Sequence, residues 1–82
     1  NRAMAYLRIN ENHLAIQDCD KVIEYFEAFD EELISNLDLY IKALLRKSKA
    51  LKNLRKYEEA KEELNKVNSL KENNFEIVNI PN

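Results

Sequence analysis

"AYLRINENHLAIQDCDKVI" at residues 5–23 and "ALKNLRKYEEAKEELNKV" at residues 50–67 decide how this chain is read. Laid over each other, Ala5 meets Ala50, Tyr6 meets Leu51, Asn12 meets Tyr57, Ala15 meets Ala60, Cys19 meets Leu64 and Val22 meets Val67. Every pair is separated by the same 45 residues, as 60 less 15 shows. Two unrelated amphipathic helices would tolerate shifts of three or four, because a helical face recurs at that spacing. One constant offset across helix, turn and helix marks an internal repeat.

Composition points the same way. The 82 residues include no glycine, no tryptophan and one proline, Pro81. Tight β-turns lean on glycine, so a multi-stranded sheet is not expected. Leu, Lys, Glu and Ala dominate and are good helix formers. The expected fold class is all-α. Thirteen basic against fifteen acidic residues give a net charge of −2, where a dedicated nucleic-acid binder would carry a basic excess. Hydrophobic residues make up 45%, enough for a folded segment. A domain this short buries only about 60% of its unfolded surface and is marginal alone. No apolar run approaches the roughly 20 residues of a membrane span, and no signal peptide is visible. The chain opens on Asn1 within a helical pattern and reads as a piece of a longer protein.

Along the chain, Ala3, Met4 and Leu7 hold helical spacing before a polar turn at Asn10, Glu11 and Asn12. Ala15, Ile16, Cys19, Val22, Ile23 and Phe26 then trace one face of a second helix. Residues 24–38 carry Glu24, Glu27, Asp30, Glu31, Glu32 and Asp38 with no basic residue, and a break is expected between Phe29 and Ser35. Ser35 with Asp38 fits a capping-box-like start for a helix bearing Leu37, Tyr40, Ile41, Leu44, Ser48 and Leu51. Arg55 and Lys56 suit a helix C-terminus, and Glu58 and Glu59 suit the N-terminus that follows, so a turn is expected between Leu54 and Tyr57. The last helix presents Tyr57, Ala60, Leu64, Val67 and Leu70 inward and frays at residues 72–74; residues 75–82 are a tail or a truncated next helix.

With "NRAMAYL" at residues 1–7, "YEEA" at 57–60 and "LKENN" at 70–74, the chain resembles the tetratricopeptide repeat (TPR) family over residues 1–74. The resemblance implies a right-handed superhelical solenoid fragment of two repeats, 1–28 and 37–74, joined by an extended acidic connection. The family's usual repeat is about 34 residues, so the 45-residue offset implies an insertion of about 11 between Tyr25 and Tyr40, lengthening one or both flanking helices. Ala3 and Ser48 stand where glycines are common at helix crossings, and Glu72 stands in place of the closing proline.

Catalysis finds little support. His13 is the only histidine and lies in the polar turn. Cys19, the only cysteine, lies on an apolar face with no His or Lys placed to activate it, so no intrachain disulfide or cysteine-rich zinc site can form. No glycine-rich phosphate loop exists without glycine. The expectation is a non-enzyme with no cofactor and no metal, in a reducing, cytoplasmic setting.

The basic stretch between Tyr40 and Tyr57 carries seven cationic side chains. At 100° per residue, Lys42, Arg46, Lys49, Asn53 and Lys56 fall in one stripe about 80° wide. Lys42 and Arg46 are an i, i+4 pair able to converge on one anion, Arg as a bidentate fork and Lys as a point charge. Asn1 lies 45 residues before Arg46 and so shares its surface in the repeat register. The resemblance then implies a dicarboxylate clamp of the kind that reads the C-terminal EEVD tail of the seventy- and ninety-kilodalton heat-shock chaperones. Asn1 matches the second-repeat asparagine, and Lys42 and Arg46 match the third-repeat pair; Lys49 and Met4 extend the site. Two or three charge-assisted bonds of about 1.5–3 kcal/mol each suit a peptide affinity near micromolar, about −8 kcal/mol. The implied parent is a co-chaperone or assembly-factor adaptor, ciliary dynein assembly factors being one plausible home. The competing reading is a structural scaffold without free-tail recognition. Flanking acids disfavour nucleic acid, and Lys47, Lys52 and Arg55 are expected to be solvated.

Overall fold

The computed structural model of the chain describes residues 2–3 and 11–73, with the side chain of Asn73 excepted. Arg2 and Ala3 are helical, and Ala3 is buried. Four further helices follow: α1 (Asn12–Ala28), α2 (Asp30–Ser35), α3 (Leu37–Asn53) and α4 (Tyr57–Asn73). Among the described residues there is no strand, and the all-α architecture is that of a tetratricopeptide-type helical repeat fragment. The tail expected at residues 75–82 lies outside the described residues.

Three helices make the core. α3 packs against α1 on one side and α4 on the other. It does so because Tyr40, Ile41, Ala43, Leu44, Ser48, Ala50 and Leu51 all point inward at helical spacing. Ile41 and Leu44 are fully buried, each stabilising the fold by about 1.5–3 kcal/mol. α1 contributes Ala15, Cys19, Ile23 and Phe26, and α4 contributes Ala60 and Val67. Small side chains at Ala15, Ala50 and Ala60 let the backbones approach closely. Ser48 is tolerated in the core because its hydroxyl donates to the Leu45 carbonyl at 2.7 Å. α1 and α4 each have 17 residues, and their bounds differ by 45 at both ends, 57 less 12 and 73 less 28.

The connection departs from expectation. The inserted residues do not simply lengthen the flanking helices. Phe29 takes a non-helical backbone (φ −128, ψ 89) that ends α1, and the chain starts again as the six-residue α2. Asp30, Glu31 and Glu32 fill its first turn, where the helix dipole favours anions. Leu33 alone ties α2 to the core, while Ile34 is exposed. The capping box at Ser35 and Asp38 does not form. Ser35 completes α2 and Asn36 takes the cap position, but its side-chain amide turns back to donate to the Glu32 carbonyl at 3.0 Å. Val22 and Tyr57, both expected to face inward, are exposed instead. Val22 borders a groove, and Tyr57 opens α4.

The α3–α4 turn falls where the charge inversion placed it. The Arg55 amide donates to the Lys52 carbonyl at 2.9 Å and the Lys56 amide to the Leu51 carbonyl at 2.8 Å, the bond pair of a Schellman cap. The left-handed residue such a cap needs is usually glycine, and here it is Arg55, with φ 62. A Cβ in that region costs about 1–2 kcal/mol. Arg55→Gly is therefore expected to stabilise the chain by about 0.5–1 kcal/mol after glycine's own entropic cost. A higher urea midpoint with unchanged slope would show it, and an unchanged or lower midpoint would contradict it.

Candidate functional site

The candidate anion site begins on the outward side of α3. Lys42 and Arg46 stand one helical turn apart and half-buried, and Lys49 is exposed one turn further on. Among the described residues no ion pair involves any of the three. Arg46 lines a groove of about 560 Å³ formed by Arg2, Ala3, α1 and α3; Lys42 and Lys49 stand outside it. Val22, Tyr25 and Leu39 give the groove exposed apolar walls, at 38%, 49% and 47% exposure. This is the size and lining of a small-ligand or side-chain pocket. Asn1 and Met4, the other expected members, lie outside the described residues.

The proposed stripe also narrows. Asn53 donates its side-chain amide to the Asn12 side-chain oxygen at 3.0 Å, tying the end of α3 to the start of α1. Lys56 lies beyond α3 and lines a different cleft with Glu59. His13 falls in the first turn of α1 rather than in a loop, and is exposed. Cys19 is 2% exposed; burial pushes its thiol up to about 11, against a smaller downward pull from Arg46. A thiol held neutral in this way is a packing group at neutral pH.

Several polar contacts were not legible in local spacing. Arg2 grips Asp18 through a fork, Nε to Oδ2 at 2.7 Å and Nη2 to Oδ1 at 2.8 Å, and this bond holds the Asp18 carboxyl below its usual range. The buried Tyr40 hydroxyl donates to a Glu27 carboxylate oxygen at 2.7 Å, joining α1 to α3; burial and that carboxylate raise its pKa. Lys47, expected to be solvated, is instead drawn between helices. Its Nζ lies 2.7 Å from Asp20 Oδ1 of α1 and 3.5 Å from Glu63 Oε1 of α4. A signal was present: Lys47 falls between Leu44 and Leu51 at spacings of three and four, and Glu63 falls likewise between Ala60 and Val67. A charge on an apolar stripe needs a partner, because burying it alone is costly.

Among the described residues, no cluster of three or more His, Cys, Asp or Glu is placed to hold a metal ion. No helix among them is long and apolar enough to cross a membrane. Residues 41–74 match the tetratricopeptide repeat family, which takes in nearly all of α3, the Arg55 turn and α4. No curated protein and no solved structure matches the chain. Tetratricopeptide repeats are generally protein-interaction units and not typically catalytic, and the match over residues 41–74 suggests a protein–protein interaction module.

Lys47 and Lys42 make a controlled contrast on one helix. Lys47→Ala is expected to cost about 2 kcal/mol by leaving Asp20 without its cation and the buried Glu63 with only Lys66, whereas Lys42→Ala should stay within about 0.5 kcal/mol. Burial pulls the Lys47 ammonium down, but Asp20 and Glu63 outweigh it and raise its pKa above the ordinary 10.5. Its contribution is thus complete below pH 10.5 and lost as pH rises through the folded-state value. Urea titrations at neutral and alkaline pH check both statements. Equal midpoints for the two variants at neutral pH would refute them.

Proposed function

We propose that this chain is a peptide-binding module of two tetratricopeptide repeats that captures a free C-terminal carboxylate. Lys42 and Arg46 are the principal cations, Asn1 adds a neutral amide, and Lys49 and Met4 extend the contact. The ligand that fits this chemistry is an acidic C-terminal peptide, such as the EEVD tail of the heat-shock chaperones. Its parent would then be a cytoplasmic co-chaperone or assembly-factor adaptor, of which the ciliary dynein assembly factors are an example. The equal lengths and constant offset of α1 and α4 support the two-repeat reading.

The observation that carries the proposal is the Lys42–Arg46 pair. Both cations are a turn apart, neither is spent on an ion pair among the described residues, and Arg46 borders an apolar groove. A carboxylate held by Arg46 and Lys42 gains charge-assisted bonds, while the adjoining apolar walls accept a side chain from the preceding ligand residue.

A second reading, a structural scaffold, is favoured by a different observation. Phe29, Ile34 and Tyr57 expose 55%, 75% and 62% of their surface outside the groove, and such residues bury well in a permanent assembly.

Titration of the intact repeat domain separates the two readings. A peptide ending in EEVD is expected to bind at about micromolar Kd, with C-terminal amidation, Lys42→Ala or Arg46→Ala each weakening it about tenfold. Equal binding of the free-acid and amidated peptides, or indifference to both substitutions, would favour the scaffold.

A further inference from the structure

The apolar groove continues past its own lining. Asp18, Val22 and Tyr25 follow one another along one side of α1 at steps of four and three, and Phe29 extends the row at the helix cap. The Tyr25 and Phe29 rings touch, with centroids 5.1 Å apart. Leu39 of α3 shares the groove with Val22 and Tyr25. All four apolar side chains are exposed, and they form a strip rather than scattered single residues.

Charge is divided between the two ends of this strip. α3 runs antiparallel to α1, with Phe26 beside Tyr40 and Asp20 beside Lys47, so Arg46 lies level with Asp18 and Lys21. At that end Arg2, Lys21 and Arg46 line the groove, and the only acid in the lining, Asp18, is already held by the Arg2 fork. No ion pair among the described residues involves Lys21 or Arg46. At the other end Asp30, Glu31 and Glu32 follow Phe29 directly, exposed and likewise outside any such ion pair. Residues 24–38 include no basic side chain to offset them. Lys21 and Phe29 are about 12 Å apart along α1. That exceeds the Debye length of about 8 Å at physiological salt, so the two ends do not neutralise each other.

We propose that this strip is the contact between two copies of the chain, paired antiparallel about a two-fold axis. A partner must present the same order reversed: acids opposite Lys21 and Arg46, an apolar centre, and cations opposite Asp30, Glu31 and Glu32. A second copy turned through a half-circle does so, and does so twice, because an isologous contact repeats each pairing. A purely basic or purely acidic partner matches one end and is repelled by the other. Val22, Tyr25, Phe29 and Leu39 of both copies then meet at the centre, covering what each copy leaves exposed. The strip is small, so the dimer is weak and forms only at high concentration. This assignment needs neither Lys42 nor a ligand carboxylate, and a failed peptide titration would leave it standing.

Sedimentation velocity of the intact chain over a concentration series tests it. A monomer–dimer equilibrium with a Kd of about 100 µM is expected. Lys21→Glu and Glu31→Lys both fall at exposed positions, so neither should alter helicity by circular dichroism. Each alone sets like charges opposite each other twice and should weaken the dimer about tenfold or more. Mixed in equal amounts, the two variants set both pairs at opposite sign and should regain a dimer close to the original affinity. Phe29→Ser should weaken self-association about tenfold through the apolar centre. A chain that stays monomeric to about 1 mM, an assembly that grows beyond a dimer, single reversals that leave the Kd unchanged, or a mixture no more associated than its components would each overturn the assignment.

Discussion

α3 must satisfy two helices at once, and the rest of the structure depends on how it does so. Its inward side is apolar through Ile41, Leu44 and Leu51, with one cation among them, Lys47. The apolar contacts are non-directional and would tolerate sliding of α1 or α4 by a turn. The ammonium of Lys47 would not, because it needs Asp20 of α1 and Glu63 of α4 in reach together. A charge between three helices adds little net energy, but it penalises any register that leaves it unpaired. The same residue also lines the cleft that Lys56 and Glu59 border, so packing register and surface chemistry are set by one side chain.

The absence of glycine has consequences at both connections. Between α3 and α4 the chain makes a tight cap and places Arg55 in the left-handed region at an energetic cost. Between α1 and α3 it spends an insertion instead, breaking at Phe29 and Asn36 around a short acidic helix. That helix is held by Leu33 and leaves Ile34 exposed. The result is a molecule with different chemistry on its faces: a cationic edge with an apolar groove, an acidic cleft, and a projecting acidic connection.

Helix positions and the α3–α4 turn were legible in the sequence because they follow from local facts. Apolar spacing reports a helical face, and a reversal from Arg55 and Lys56 to Glu58 and Glu59 reports a junction of opposite helix ends. The connection was less legible. Ser35 and Asp38 have the right spacing for a cap, yet α2 extends through Ser35, because nothing in the sequence says where an inserted segment resumes a helix. The candidate anion site was legible only in part: Lys42, Arg46 and Lys49 share an outward side as their spacing implies, but only Arg46 borders the groove.

The sequence by itself determined the helical class, the 45-residue offset and which residues of each helix are apolar, since these depend on residue type and spacing along one chain. Tertiary structure alone decided which charges meet. Arg2 with Asp18, Tyr40 with Glu27, Asn12 with Asn53 and Lys47 with Asp20 and Glu63 are brought together by helices crossing at particular heights and rotations. A lysine on an amphipathic helix has the same local sequence whether it faces water or a neighbouring helix. Lys42 and Lys47, five residues apart on one helix and both half-buried, differ because packing gives Lys47 two carboxylates and Lys42 no ion-pair partner among the described residues.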